Sequence, residues 1–210
     1  MVSGGVHTIS FLRKLTPHCQ IPALFACIAA LFTLPIALLA ARFYRKDPRW
    51  FKIHAIFNTI TTLLIILVFG LGMGAVQASQ LGMQFAGPNS DLHHKVGAAV
   101  LSVTLMQTII GTAAHYTKAG SFLRLLHIPL GLITAAGIYW NTWEGMHNEW
   151  AEMSVAGTVT PQGVQIVFWI LFVISVTVYG CGAGEAALKY VIREERIQEK
   201  TRSMETSVEI

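Results

Sequence analysis

Residues 53–78 read IHAIFNTITTLLIILVFGLGMGAVQA, an unbroken run without a single charged side chain, and that run decides the fold. About 20 mostly apolar residues suffice to carry a helix across a bilayer, so this stretch is long enough to span. The uncharged sequence continues to Ser90. Working outward, four more apolar runs predict spans over residues 21–41, 93–114, 125–143 and 164–188, the last just after the helix-starting Pro161. Pro35 predicts a kink in the first span, tolerated inside a bundle. The expected fold is therefore an all-α membrane protein of five transmembrane helices, the first four forming a bundle and the fifth packing beside it.

Composition agrees with that reading. Of 210 residues, 53% are hydrophobic and 12% charged, with mean hydropathy +0.55. Soluble domains carry roughly 25% charged residues, so disorder and an ordinary water-soluble globule are both excluded. Cys19, Cys27 and Cys181 are too few and too apolar in setting for a disulfide framework. Residues 1–20 form an N-terminal extension that lacks the apolar core of a signal peptide. Residues 21–188 form the membrane domain and 189–210 a charged tail, expected to be a short amphipathic extension. The turn signal Gly87-Pro88-Asn89-Ser90 lies between spans two and three, and a longer connection over 141–163 joins spans four and five.

A net charge of +4 and a pI near 9.1 would suit a nucleic-acid binder, but the charges sit where a membrane protein keeps them. Arg42, Arg45, Lys46, Arg49 and Lys52 occupy the first connection, Lys118 and Arg124 the third, and Lys189, Arg193, Arg196, Lys200 and Arg202 the tail. The second and fourth connections hold no Lys or Arg. The positive-inside rule then places the N-terminus outside and the tail in the cytosol, with only Arg13 and Lys14 opposed. No nucleic-acid partner is expected, and the surrounding partner is the lipid bilayer.

Ionisable residues inside such a frame are functional candidates, because an unpaired imidazole in lipid is expensive. His54 and His127 start spans two and four at the cytosolic side, at similar depth. His93 and His94 start span three at the outer side. His93 precedes Gly97 by four residues and His127 precedes Gly131 by four, so each imidazole shares a helix face with a bare patch one turn further in. Imidazole is a common haem ligand, helix bundles commonly hold haem between facing helices, and a flat macrocycle could lie on such a patch. The competing reading is that these histidines are interfacial and the glycines ordinary features of membrane helices. His115 ends span three at the cytosolic side as a reserve partner for the His54–His127 pair. His147, Glu144, Glu149 and Glu152 fall in the outer connection, and Trp140, Trp143 and Trp150 read as an interfacial belt. Phosphate-binding loops, nucleophile–base pairs and clustered zinc ligands are absent from the sequence.

Several of these residues also carry a resemblance. The stretch Leu34-Pro35-Ile36 through Ala41-Arg42-Phe43-Tyr44-Arg45, then Asp47-Pro48-Arg49-Trp50-Phe51-Lys52-Ile53-His54, resembles the cytochrome b561 domain in the version that follows DOMON modules in fungi and plants. The likeness continues through His93-His94-Lys95-Val96-Gly97, Gln107 with Gly111, and His127-Ile128-Pro129-Leu130-Gly131, covering about residues 21–145. No DOMON module precedes the spans in this sequence. The resemblance implies two b-type haems, one near each membrane face, held by four histidines on four consecutive helices, the first paired with the third and the second with the fourth. It makes His54 and His127 the ligands of the cytosolic haem and His93 one ligand of the outer haem. The family's first-helix histidine falls on Pro22, and His18, one turn earlier, is the substitute candidate.

The function these readings imply is transmembrane electron transfer through b-type haem. A cytosolic donor such as ascorbate would supply the electron, and ferric iron or another extracytoplasmic acceptor would take it, as in a ferric reductase. A homodimer is compatible with this reading. The alternative is a haem-poor scaffold or partner subunit that kept the fold and lost transport, and Pro22 is the residue that sustains it.

Overall fold

The computed structural model describes residues 21–79, 84–86, 90–117, 120–149 and 160–208, which form helices joined by short connections. No strand occurs among the described residues. Helix α1 covers Ile21–Phe43, α2 Trp50–Ser79, α3 Leu92–Tyr116, α4 Gly120–Glu144 and α5 Gln162–Val208. Five helices are long and apolar enough to cross a membrane, as expected of a multi-pass membrane protein. His18, Lys118 and the Gly87-Pro88-Asn89 part of the turn signal lie outside the described residues.

Helix α1 is the most enclosed of the five. Ala29, Ala30 and Ala37 have no exposed surface, and Leu31 and Leu34 join them in a core completed by Ile65 of α2, Val100 of α3, Ile138 of α4 and Phe168 of α5. Alanines at these positions let neighbouring backbones approach closely, which is how membrane helices gain packing contacts without a hydrophobic driving force. Pro35 sits in the first turn after an irregularity in α1. One turn earlier the helix widens into a π-helical segment, Ala29–Thr33. Proline has no N–H to return to the carbonyl four residues back, so the turn before it must reorganise. The Thr33 hydroxyl steadies that turn, lying 3.2 Å from the Ala29 carbonyl and sharing a 2.7 Å hydrogen bond with the Thr61 hydroxyl of α2.

The helix ends differ from those the hydropathy pattern predicts. Asp47 starts α2 early: its Oδ1 accepts from the Arg49 backbone N–H at 2.8 Å, and the Trp50 N–H donates to the Asp47 carbonyl at 3.0 Å. The Arg49 guanidinium, 3.0 Å away, holds the partly exposed Asp47 carboxyl below the usual carboxylate range, through its side-chain hydrogen bond first. Asp91 caps α3 in the same way, accepting from the His93 N–H at 3.0 Å. Helix α4 runs past Trp143 and continues as a π-helical turn, Gly145–Glu149. Glu144 and His147 are therefore helical rather than part of a loop. Helix α5 continues without a break through the charged tail.

Helix α5 seats on α1 and α4 through aromatic edges. Phe172 meets Tyr139 at 4.9 Å, and Trp169 meets Trp143 at 4.9 Å between ring centres. At the other end of the same contact, the Arg42 guanidinium donates to the Gly182 carbonyl of α5. The approach there is close, for a Cβ on Gly182 would stand 2.5 Å from Phe43 Cζ. One positive charge of the first connection thus clasps α5. Arg45 leans over the Trp50 ring and donates to the Ala41 carbonyl at 2.9 Å.

Candidate functional site

Helices α3 and α4 pack antiparallel along their length, and their pairing builds two mirrored arrangements. At the end that carries the basic connections, His127 of α4 lies on Gly111 of α3. A Cβ on Gly111 would stand 2.6 Å from the His127 Cε1. Gln107, one turn from Gly111 on the same face, lies on Gly131, its Nε2 2.6 Å from where a Cβ would be. At the opposite end the roles of the helices exchange. His93 of α3 lies on Gly145 of α4, with Cε1 2.8 Å from the missing Cβ position, and Asn141 lies on Gly97 at 3.2 Å.

Each arrangement consists of a histidine with a glycine four residues later, facing an amide with a glycine four residues later. His93 and Gln107 are 14 residues apart on α3, and His127 and Asn141 are 14 apart on α4. At about 1.5 Å per residue the two arrangements stand roughly 21 Å from each other along the bundle. Between them Gly137 of α4 meets Val100 of α3, where a Cβ would be 2.9 Å from Val100 Cγ2.

The polar groups of these arrangements are incompletely satisfied. Gln107 Nε2 donates to the His127 carbonyl at 2.7 Å, and the His127 and His93 rings face the backbone carbonyls of Gln107 and Asn141 respectively. Yet His93 Nδ1, His127 Nδ1, Gln107 Oε1 and Asn141 Oδ1 are buried with no hydrogen-bond partner among the described residues. Buried polar atoms are rarely left so, and four at two mirrored places require a chemical reason.

A third helix completes the basic end. His54 of α2 brings its ring centre to 6.2 Å from that of His127, the planes at 84°. Its Nδ1 donates to the Ala37 carbonyl of α1 at 2.8 Å, which fixes the tautomer and leaves the Nε2 lone pair free of its own proton. Asn58, one turn on, holds its amide 3.2 Å from that Nε2 and donates to the His54 carbonyl at 2.9 Å. A histidine that ligates a metal commonly donates its other ring N–H to just such a carbonyl.

The opposite end has no imidazole from α1 among the described residues. There a cavity of about 150 Å³ is lined by His93 and His94 together with Pro22, Ala23 and Ala26 of α1. His94 is drawn aside, with Nδ1 3.1 Å from Asp91 Oδ2.

The structure thus brings His54 and His127 together and places His93 at the other end. The bare patches expected beside the histidines are filled, by Gln107 on Gly131 and by Asn141 on Gly97. The reserve residue His115 stacks face to face on Phe51 at 3.4 Å, outside the pair. His147 is exposed and stacks on Trp143 at 5.0 Å. Hydropathy does not single out Asn141 with Gly145, although its spacing repeats that of Gln107 with Gly111. Among the described residues no three His, Cys, Asp or Glu side chains gather into a cluster. No family model, no curated protein and no solved structure matches this chain.

Proposed function

We propose that the chain is a haem-bearing electron carrier of the cytochrome b561 kind, with His54 and His127 as the axial ligands of one b-type haem. The observation that carries this reading is the spacing of the two imidazoles. With metal–nitrogen bonds of about 2.0–2.1 Å, an ion between two imidazoles holds their ring centres roughly 6–6.5 Å apart, and those of His54 and His127 are 6.2 Å apart. The His54 tautomer supports the same reading.

The haem, when bound, supplies a one-electron couple. The chain's own part is ligation, orientation and exclusion of water. Ala37 orients His54, and Gly111 leaves the room in which the His127 ring sits. Gln107 ties the His127 carbonyl, and its Oε1 is left buried without a partner beside the ring. Electrons would come singly from a reductant such as ascorbate at the basic, cytosolic face, where Arg42–Lys52 favours an anion. They would leave toward an extracytoplasmic acceptor such as ferric iron. The proposal covers one haem. At the outer end Pro22, Ala23 and Ala26 form α1's share of the wall, and none of them can ligate iron.

A second reading, the scaffold that carries no haem, is favoured by one feature: the Gln107 and Asn141 amides already pack the glycine faces. A reduced-minus-oxidised spectrum with a pyridine haemochrome count on the purified protein decides between the two. One low-spin haem per chain is expected, and a protein with no haem absorbance leaves only the scaffold.

A further inference from the structure

Two sulfurs meet beside the outer cavity. Cys27 of α1 points its Sγ at the Sδ of Met146, 3.6 Å away, across the boundary between α1 and the turn that ends α4. Met146 is 2% exposed and also lines the cavity, whereas Cys27 is half-buried. On the same wall the His93 ring lies against Gly145, the residue next to Met146, and its Nδ1 is buried and unpartnered. A thiol, a thioether and an imidazole in a mostly apolar setting form a soft donor set, the kind that selects monovalent copper over hard or borderline ions.

We propose that Cys27 and Met146 hold a Cu(I) ion, with the His93 imidazole as its nitrogen ligand. With metal–sulfur bonds of about 2.3 Å, sulfurs at this separation subtend roughly 100° at the metal. That angle leaves a third position open, and His93, which lines the same cavity as Met146, is the nitrogen donor assigned to it. On binding, the Cys27 S–H bond breaks, a sulfur–copper bond forms and the proton leaves through the cavity to water, so no electron changes hands. The site is independent of the His54–His127 reading, since it uses no residue of that pair.

The test is anaerobic competition for Cu(I) between the full-length protein in detergent and a chromophoric Cu(I) chelator, with dithionite present to keep copper monovalent. One Cu(I) per chain is expected. Both C27S and the volume-conserving M146L should weaken retention at least about tenfold, and H93A should weaken it as well. C181S should leave it unchanged. X-ray absorption at the copper edge should show sulfur and nitrogen neighbours. Helical circular dichroism and size-exclusion elution, read in the same samples, should be equal in all variants; they report folding whether or not haem is bound, which keeps the two proposals separable. No bound copper in the unsubstituted protein, or copper retained equally by C27S and M146L, overturns the site. Should C27S not fold, M146L decides alone, and full retention of copper by that variant overturns the site.

Discussion

At the residue scale, His54 and His127 differ from the other described histidines in what their rings touch. His54 is tied by Ala37 and faced by His127, whereas His94 leans on Asp91 and His147 on Trp143. His54→Ala or His127→Ala is therefore expected to remove one iron ligand and abolish the low-spin absorbance of the haem. His94→Ala and His147→Ala should leave the spectrum unchanged. Absorbance of each purified variant, normalised to protein, checks this. The pair was legible in sequence, because two separate basic connections set both residues at one depth. The amides were not. Their role depends on which residue of α3 faces which residue of α4, and hydropathy carries no such register. The signal that was available is the fourfold recurrence of a polar residue with glycine four later, at His93, Gln107, His127 and Asn141.

At the scale of elements, glycine matters where a neighbour occupies its missing side chain. Gly111→Ala puts a methyl into the His127 ring and should cost about 1–3 kcal/mol of stability, together with a shifted or lost haem band. Gly70 has nothing within 4 Å of its Cβ position, so Gly70→Ala should be neutral or slightly stabilising in the same thermal scan. Between α1 and α2, the Thr33–Thr61 hydroxyl pair is open to a double-mutant cycle with valine. An interaction of about 0.6 kcal/mol is expected, with about 1.7 as the ceiling seen for such pairs in membranes. The helices themselves were legible from apolar run length. The widened turn before Pro35 was not, because where a helix absorbs a proline depends on its neighbours in the bundle, here the Thr33–Thr61 hydroxyl pair beside that turn. The α4 end was also hidden: the apolar run ends at Trp143, but the His93 ring takes up the space beside Gly145 and the helix runs on.

At the scale of the whole molecule, the charge distribution predicts which way the bundle sits. Glycosylation acceptors placed over residues 150–159 should be modified, and acceptors at 118–119 should not. The reverse pattern would invert the faces assigned to His54, His127 and His93 together. Gly137 gives the α3–α4 pair one more property. It is the close contact between two arrangements roughly 21 Å apart, and both depend on the same two backbones staying side by side at that distance. A wedge driven in there acts on a fulcrum, splaying both ends at once. Gly137→Leu, which touches neither histidine, should disable the haem band at one end and copper retention at the other in a single substitution, while Gly111→Ala disables only the first.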